Sequence, residues 1–593
     1  CDGRADLFTY AAGGNIRVFH NELVGGRLGF VLANPQLSFP IGNGYTSNLI
    51  IGYYSLPVIQ DVNGDGKLDI LSYDFINSTK LELYLNASPG SCGGISTFSR
   101  YTEQWGQLEA CGTCNSFTLA GGPTCGTYRT LHTPGHNILL LDLNGDGKLD
   151  LLDGRDNCAT LTRILNTGTS TMDAVLAPAN ASSAFPSAAA PVSLPVFPAA
   201  YRFDADFDGV PDLVLAPDMI DNTADFVSLR NSVQLYHNAA TSAGAVPSFG
   251  LTNGSFLQGD MLDVSEGAMA AFGDLDGDGL TDMLIGNQGD KVGGYYRANL
   301  SYYRNVGTAR RPVYRLVNAD YLGLGAAAAA AGTRFESLRP ALVDLNRDGK
   351  LDLVYSAFNG STNRLNYILN TAASGQPAAF NVAQASYFKP QGAAGSGVLP
   401  ARQYDTPCFF DVNGDGYVDL LLGTNDNTEP GGSLRYFRNQ GAAAAGNLDN
   451  LFVLADGDYG LLRNNGARQP GLAPTVADFD GDGQPDLLTI DATGAVKMYL
   501  NFKSQTGAFP ERTNLFYNAL STTYGPSTLG YSVSPSGTMR LAVTAADLNQ
   551  DGTPELYVGT ESGGLVSLLP GTRSVVLAAQ PAAAAALAFS LYP

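Results

Sequence analysis

Short apolar runs, separated by polar and glycine-rich turns, recur along the whole chain. One set reads LDILSY, PDLVLA, TDMLIG, LDLVYS, VDLLLG and PDLLTI. Runs this short, apolar and partly β-branched predict β-strands. A second set is apolar or aromatic and ends in an asparagine. Its members end at Asn21, Asn86, Asn238, Asn305, Asn370, Asn439 and Asn501.

The spacing of apolar positions does not predict amphipathic helices of useful length. Alanine runs at 326–331 and 582–586 are too short and too isolated to change this. The 70 glycines and 31 prolines suit a chain with many tight turns. The pattern therefore predicts an all-β protein.

A nine-residue acidic motif precedes the first set of strands. It reads Asp-x-Asp/Asn-x-Asp-Gly-x-x-Asp/Glu. Eight complete copies begin at Asp61, Asp142, Asp204, Asp274, Asp344, Asp411, Asp478 and Asp547. A ninth, incomplete copy at the start of the chain retains Asp2, Gly3 and Asp6. The 593 residues thus divide into nine repeats of about 66 residues.

The side chains of the motif favour a hard cation. Positions 1, 3, 5 and 9 carry carboxylate or amide oxygens, and the glycine at position 6 permits a sharp turn that folds them inward. Six to eight oxygens in flexible geometry suit Ca²⁺, whereas Mg²⁺ requires a tighter octahedron. No cysteine or histidine lies inside a complete motif, which disfavours zinc and copper. The sequence therefore predicts about eight calcium ions.

The candidate ligands follow from the motif positions. In the incomplete copy and the first four complete copies they are Asp2, Asp6, Asp61, Asn63, Asp65, Asp69, Asp142, Asn144, Asp146, Asp150, Asp204, Asp206, Asp208, Asp212, Asp274, Asp276, Asp278 and Asp282. In the last four they are Asp344, Asn346, Asp348, Asp352, Asp411, Asn413, Asp415, Asp419, Asp478, Asp480, Asp482, Asp486, Asp547, Asn549, Asp551 and Glu555. We expect the weakest affinity at Asp547, where the longer Glu555 occupies the last position.

An EF-hand shares the first half of this pattern but differs in two respects. Its twelfth loop position is a bidentate glutamate and its flanks are helical. Here the flanks are predicted strands. The twelfth positions are Ser72, Asp153, Leu215, Ile285, Tyr355, Leu422, Thr489 and Val558. Metal-free Asx-rich turns are the other alternative, but eight copies in register favour metal sites.

The net charge of −21 is concentrated in these motifs. Eight divalent cations would bring it to about −5, and without them each loop would hold three or four mutually repelling carboxylates. The sequence shows no basic stripe, so nucleic acid is not an expected partner. It also shows no apolar run long enough to span a membrane.

The repeat length predicts the architecture. Each unit reads as four short strands with one metal loop, which is typical of a propeller blade. We therefore predict a single β-propeller over residues 1–593, with nine repeats and seven to nine blades. The C-terminal run AALAFSLYP resembles a first strand and could complete the first blade.

Two segments identify a family resemblance. LRYFRNQG and LSYYRNVGTARRPVYRLV, each following an acidic motif and its strand, resemble the FG-GAP/VCBS repeats of integrin α-subunit propellers and of many surface proteins. The resemblance implies a calcium-loaded propeller that is extracellular and usually adhesive or scaffolding. The chain departs from the integrin pattern in having nine repeats where integrins have seven blades.

The cysteines indicate the cellular compartment in which the protein works. Cys92, Cys111, Cys114 and Cys125 lie in a predicted insert at 90–130, together with Trp105. We favour disulfides over zinc there, because a second close cysteine pair is missing. The connectivity is open, and Cys1, Cys158 and Cys408 remain unassigned. Six Asn-x-Ser/Thr sequons permit glycosylation. These features favour a secreted or cell-surface protein.

Two functions remain open. The first is a non-enzymatic recognition, adhesion or structural module that binds protein or glycan. The second is a polysaccharide lyase or hydrolase on the same scaffold. No common catalytic motif is present, and the HTPGH segment at His132 and His136 is a weak metal candidate. We expect the partner to bind at long loops opposite the metal loops, at Pro217 to Asn231 or at Tyr295, Tyr296 and Arg297.

Overall fold

The computed structural model describes most of the chain. The described residues are 4–24, 27–52, 54–89, 97–125, 135–156, 158–218, 230–258, 262–292, 295–389, 399, 401–424, 433–441, 448–518, 523–525, 528–529, 541–561 and 563–568. Short antiparallel strands dominate, which confirms the all-β prediction. The chain divides into two compact units, Cys1–Gly259 and Asp260–Pro593. The prediction of one nine-repeat domain stays a prediction.

The first unit contains three four-stranded sheets and three smaller ones. The smaller sheets are β1 (Leu7–Ala11), β2 (Asn15–Val24) and β3 (Arg27–Asn34); β4 (Ser38–Gly42) and β5 (Tyr45–Asn48); and β10 (Glu109–Ala110) and β11 (Phe117–Thr118). The larger sheets are β6 (Val58–Gln60), β7 (Asp69–Tyr73), β8 (Leu81–Asn86) and β9 (Phe98–Thr102); β12 (His136–Leu141), β13 (Asp150–Arg155), β14 (Thr162–Asn166) and β15 (Leu176–Ser182); and β16 (Pro198–Phe203), β17 (Asp212–Pro217), β18 (Gln234–Asn238) and β19 (Phe249–Asn253).

The second unit contains five main sheets of three or four strands. The first three are β20 (Met269–Gly273), β21 (Asp282–Gly286), β24 (Leu300–Asn305) and β25 (Tyr314–Asn318); β26 (Glu336–Val343), β27 (Asp352–Phe358), β28 (Asn363–Ile368) and β29 (Ser386–Tyr387); and β30 (Thr406–Phe410), β31 (Asp419–Gly423), β32 (Leu434–Asn439) and β33 (Phe452–Asp456). The last two are β36 (Ala473–Ala477), β37 (Asp486–Ile490) and β38 (Val496–Tyr499); and β41 (Ala542–Ala546), β42 (Glu555–Gly559) and β43 (Leu565–Leu568).

Smaller elements lie in the connections within and between these sheets. They are the hairpins β22 (Asp290–Val292) with β23 (Tyr295–Arg297), β34 (Arg463–Asn464) with β35 (Ala467–Arg468) and β39 (Phe516–Asn518) with β40 (Thr523–Gly525), and the helix α1 (Leu324–Ala330). The helix α1 covers most of the first alanine run and is only seven residues long. It therefore leaves the all-β prediction unchanged.

Every complete acidic motif occupies the same place in its sheet. It connects the first strand to the second, and its ninth residue is the first residue of that second strand, as at Asp69 of β7 and Glu555 of β42. The repeat asparagine ends the third strand in most sheets, as at Asn86 and Asn305. This placement explains both sequence patterns, since the motif and the asparagine come together at one end of each sheet.

The core lies between the faces of neighbouring sheets. One cluster joins Leu284 of β21 and Leu300 of β24 to Leu338 of β26 and Leu353 of β27, all four of them fully buried. Equivalent clusters lie between the other neighbouring sheets of the second unit. Because both faces of a second strand are covered, these strands read as continuous apolar runs in the sequence.

The first strands of the second unit contact one another in a cycle. β20 contacts β26, β26 contacts β30, β30 contacts β36, β36 contacts β41, and β41 contacts β20. The return contact includes a hydrogen bond from the backbone N–H of Ala268 to the carbonyl oxygen of Thr560 at 3.2 Å. A second joins the Thr544 hydroxyl to the carbonyl oxygen of Ala270 at 2.6 Å.

A glycine at the end of the second strand permits close approach to the next sheet. A Cβ on Gly286 would lie 2.2 Å from the carbonyl oxygen of Leu338. At Gly559, in the last sheet, it would lie 1.8 Å from the carbonyl oxygen of Ala268, which precedes β20. The last sheet therefore meets the first by the same contact that joins consecutive sheets.

Candidate functional site

The acidic loops fold their oxygens inward, as the loop at Asp274 illustrates. The two carboxylate oxygens of Asp274 accept the backbone N–H groups of Gly277 at 2.8 Å and Gly279 at 2.9 Å. Gly279 has a φ of 84°, which few residues other than glycine adopt without strain. The carboxylate of Asp278 accepts the N–H of Leu280 at 2.9 Å. These backbone bonds fix the loop and still leave carboxylate lone pairs for a cation.

The ninth residue holds the motif to the third strand. Asp282 is fully buried, and its two oxygens accept the backbone N–H of Leu275 at 3.1 Å and that of Asn305 at 2.8 Å. The ninth aspartates of six other complete loops accept the same two kinds of bond. In the last loop, Glu555 accepts the N–H of Leu548 but no N–H of a described third-strand residue. Asp6 of the incomplete motif likewise accepts the N–H of Asn21 at 3.0 Å.

The repeat asparagine recurs in the sequence, and the structure shows its role. The side-chain oxygen of Asn305 accepts the N–H groups of Gly307 at 3.0 Å and Val313 at 3.1 Å, which closes the turn after the third strand. Asn166, which ends the run TRILN, makes the same bonds to Gly168 and Val175 and was missed among the sequence examples.

Four of the eight complete loops bring three carboxylates into a group whose ligand atoms all lie within 4.8 Å of one another. These groups are Asp204, Asp206 and Asp208; Asp274, Asp276 and Asp282; Asp478, Asp480 and Asp486; and Asp547, Asp551 and Glu555. The remaining four loops have asparagine at position 3. In three of them its amide donates to the aspartate at position 5, as Asn413 does to Asp415 at 2.9 Å. Asp2 lies outside the described residues.

Basic side chains from the third strand approach two of the complete loops. Arg304 pairs with Asp276 and, at 3.2 Å, with Asp278. His237 lies 3.2 Å from Asp206 and 3.3 Å from Asp212. Each of these residues directly precedes a repeat asparagine, and this position could have identified them.

Burial affects the titration of the loop carboxylates. Burial raises the pKa of Asp352 to about 6, although the backbone N–H groups of Asn370 and Leu345 partly oppose the shift. The pKa of Asp276 is also raised by burial. The pKa of Asp278 is lowered by its bond from the Leu280 N–H and by Arg304. A negative charge at the buried ninth position therefore costs free energy, and a bound cation would offset this cost.

The hairpin β22–β23 carries the residues expected to bind a partner. Tyr295 is 55 % exposed, Arg297 is exposed and Tyr296 is 9 % exposed. The alternation follows from strand geometry, in which neighbouring side chains point to opposite faces. Tyr296 thus anchors the hairpin while Tyr295 and Arg297 share its open face. The second long loop, from Pro217 to Asn231, lies mostly outside the described residues.

A polar cluster surrounds Tyr295. The guanidinium of Arg334 lies 4.1 Å from the centre of the Tyr295 ring and donates to Glu336 at 2.5 Å. The amide of Gln403 donates to the other Glu336 oxygen at 3.1 Å. The hairpin, the segment before β26 and the segment before β30 therefore contribute side chains to one surface.

One disulfide lies within the cysteine-rich segment, and a second joins this segment to the connection between β13 and β14. Cys111 bonds Cys125, and Cys114 bonds Cys158, which sequence analysis had left unassigned. Cys408 is a free cysteine, and Cys1 and Cys92 lie outside the described residues. Disulfides of this kind are typical of extracellular proteins.

Trp105 does not pack within the cysteine-rich segment alone. It is 1 % exposed and belongs to a cluster that includes Leu83 of β8 and Ile164 of β14. Its indole N–H donates to the carbonyl oxygen of Thr171 at 2.9 Å. Trp105 thus packs between two four-stranded sheets.

His136 lies in a buried polar cluster at the end of β12. Its Nδ1 is 3.0 Å from Asp153, which also accepts the Tyr73 hydroxyl at 2.5 Å. The Tyr73 and His136 rings stack with centres 3.8 Å apart. Burial, followed by the Asp153 charge, raises the pKa of Tyr73 well above its ordinary value. His136 is fully buried, so this cluster does not line an open groove. His132 lies outside the described residues.

The described helices include none that is both long and apolar enough to cross a membrane. Among curated proteins, none matches this sequence. Two stretches, residues 411–489 and 478–558, match the family model described as an FG-GAP-like repeat.

Several solved structures share weak similarity with the chain. A lectin from Agrocybe aegerita, described by its recognition of non-reducing terminal N-acetylglucosamine, is 16 % identical at a TM-score of 0.26, over 74 % of this chain and 95 % of the lectin. A mutant of AofleA from Arthrobotrys oligospora is 9 % identical at a TM-score of 0.28, over 62 % and 82 %. An ancestral GH74 enzyme is 11 % identical at a TM-score of 0.24, over 95 % and 68 %.

TM-scores this low carry no argument about the present chain. The family model is more informative, because each matched stretch begins at an acidic motif and includes the strands that follow it. Residues 411–558 therefore consist of FG-GAP-like repeats, which confirms the resemblance seen in the sequence.

Proposed function

We propose that the chain is an extracellular, calcium-stabilised recognition module that binds a protein or glycan without breaking a bond. The observation that carries the proposal is the open face of the β22–β23 hairpin, where Tyr295 and Arg297 are exposed beside Arg334. Tyrosine and arginine are favoured anchors of binding surfaces, and loops on a rigid scaffold commonly carry recognition. The FG-GAP-like repeats and the disulfides support an extracellular location.

Calcium would serve as a structural ion in this proposal. The carboxylates of the loops at Asp204, Asp274, Asp478 and Asp547 already converge, and hard oxygen donors suit Ca²⁺. In the loops at Asp61, Asp142, Asp344 and Asp411, the asparagine at position 3 would supply an amide oxygen. The bound ion would neutralise the clustered charge and hold the first strand of each sheet to the second.

The five main sheets of the second unit are proposed as the blades of a closed five-bladed propeller. Their first strands contact one another in a cycle, and Gly559 meets Ala268 as Gly286 meets Leu338. Five blades lie within the usual range of four to eight. This proposal concerns the second unit alone, and seven to nine blades for the whole chain stays a prediction.

The connectivity of one blade separates the metal loop from the hairpin. In a strand order of β20, β21, β24 and β25, the loop at Asp274 joins the first two strands, whereas the hairpin joins the second and third. These connections lie at opposite ends of β21. The hairpin therefore belongs to the face away from the loops, where we expect the partner.

Binding by matched variants tests the proposal. The wild-type chain and the double variant Tyr295→Ala, Arg297→Ala would be applied to immobilised extracellular polysaccharides and matrix proteins. We expect the double variant to lose binding with an unchanged melting temperature. Tyr45→Ala is a control, because Tyr45 is 70 % exposed and lies in the small β4–β5 sheet. Unimpaired binding by the double variant would move the site elsewhere, and turnover of a polysaccharide by the wild type would favour the lyase or hydrolase alternative.

A further inference from the structure

A basic and apolar surface lies on the outer strand β25 and on the segment that precedes it. Arg310, Arg311 and Arg315 are exposed, and none of them forms an ion pair with another described residue. Exposed aliphatic side chains lie among them in the sequence. These are Val313 at 55 %, Leu316 at 42 % and Val317 at 55 % exposure. We call these six residues the β25 surface.

The strand itself offers hydrogen bonds. β25 is the last strand of its sheet, and no other described strand pairs with its outer edge. Within β25, Arg315, Leu316 and Val317 are all exposed, so both faces of the strand are open next to the edge. An uncovered strand edge with apolar side chains is a template for pairing with a further extended segment.

The positive charge of the β25 surface is specific to this sheet and does not recur on the corresponding strand β33. The strand β33 has the same register, since Leu316 pairs opposite Tyr303 as Leu454 pairs opposite Phe437. Leu454 is also exposed, at 52 %, yet Val453 takes the place of Arg315, opposite Arg438. The outer position therefore does not require arginine. Arg304, opposite Arg315, is paired with Asp276 and Asp278, so its charge is not available to a further ligand.

We propose that an acidic, extended peptide segment of a partner protein adds to β25 as a fifth strand. Its backbone would pair with the free edge, and its carboxylates would meet Arg310, Arg311 and Arg315. Its apolar side chains would cover Leu316 on the other face, because neighbouring side chains of a strand point to opposite faces. Arginine suits this role because its guanidinium binds carboxylates in bidentate geometry. A second copy of this chain is a poor occupant, because pairing of two β25 strands would bring two clusters of arginines together, and like charges repel.

Binding of a defined probe tests the proposal. The probe is a fluorescent eight-residue peptide of alternating valine and glutamate, titrated with the full chain while anisotropy is recorded. We expect saturable binding that weakens with added salt. The double variant Arg311→Gln, Arg315→Gln should bind at least tenfold more weakly. Leu454→Asn, the matched change on β33, should bind as the wild type does, and unchanged circular dichroism should show that each variant is folded.

Two further peptides decide between strand addition and simple charge attraction. A peptide of alternating valine and lysine should not bind, and the acidic peptide with alternate amides methylated should lose binding because it cannot pair with the edge. Equal binding of the methylated peptide would overturn strand addition. Absence of binding by the acidic peptide, or binding that is indifferent to Arg311 and Arg315, would overturn the site. Stronger arginine-dependent binding of polygalacturonate than of the peptide would also overturn it in favour of an acidic glycan.

Discussion

The carboxylate of Asp282 accepts the backbone N–H of Asn305 at 2.8 Å. One residue is the last of the acidic loop and the other ends the third strand, so this bond joins the loop to a strand that lies 23 residues further along the chain. The same carboxylate accepts the N–H of Leu275 at 3.1 Å and the Tyr302 hydroxyl at 2.9 Å. Asp282 therefore organises the sheet in addition to its proposed role as a ligand.

Removing this carboxylate should destabilise the protein even without metal. Asp282→Ala leaves two backbone N–H groups and a buried hydroxyl without their acceptor, and each such loss costs about 1–3 kcal/mol. Thermal melting in excess EGTA should show a loss of several degrees. Asp276→Ala is the matched control, since Asp276 is partly exposed and Arg304 keeps its contact with Asp278. Equal melting of the two variants would show that Asp282 acts only through metal.

The proposed closure of the second unit makes a prediction at Gly559. A methyl group there would lie 1.8 Å from the carbonyl oxygen of Ala268, so Gly559→Ala should force the last sheet away from the first and lower the melting temperature. Gly457→Ala provides the control, because a Cβ at Gly457 meets nothing within 4 Å. If both variants melt like the wild type, the contact between β41–β43 and β20 is not part of the stable fold.

The sequence predicted the strands and loops well because both depend on local features. The ninth residue of the motif begins an apolar strand in every complete copy, and the repeat asparagine marks the turn after the third strand. The pairing of Cys114 with Cys158 could not be predicted, because it depends on how two sheets pack. The same is true of Trp105, whose partners Leu83 and Ile164 belong to different sheets. The division into two units likewise leaves no clear mark in the spacing of the repeats.

The proposed binding surface could likewise be predicted only in part from the sequence, as the contact between Arg334 and Tyr295 shows. The two residues are separated by a helix and two strands in the sequence, and only the fold brings them within 4.1 Å. The sequence could identify the hairpin by its length and aromatic content. It could not identify Arg334, Glu336 or Gln403 as its neighbours.

The thiol of Cys408 should be inert in the native protein. Burial raises its pKa to about 12, so at pH 8 almost none of it is the reactive thiolate. The shift is upward, and the thiolate should appear only as the pH approaches 12. Mass spectrometry after iodoacetamide treatment at pH 8 should find Cys408 unmodified in the folded chain and alkylated in denaturant. Rapid alkylation of the folded chain would show that this strand opens readily.

Removal of calcium should destabilise the whole molecule. An ion that binds only the folded state stabilises it by about 2.7 kcal/mol per site at a hundredfold excess over Kd. Addition of EGTA should therefore lower the melting temperature by many degrees, and added Ca²⁺ should restore it. An unchanged melt in EGTA would contradict a structural role for the ions.

The most direct test of the account is the number of calcium ions bound per chain. Native mass spectrometry after dialysis against Ca²⁺ should find about eight ions, one for each complete loop, with the loop at Asp547 the first to lose its ion on dilution. Double substitution Asp478→Ala, Asp482→Ala should remove one ion and leave the others. A count well below six, or a variant that retains the wild-type number, would contradict the assignment of these loops as calcium sites.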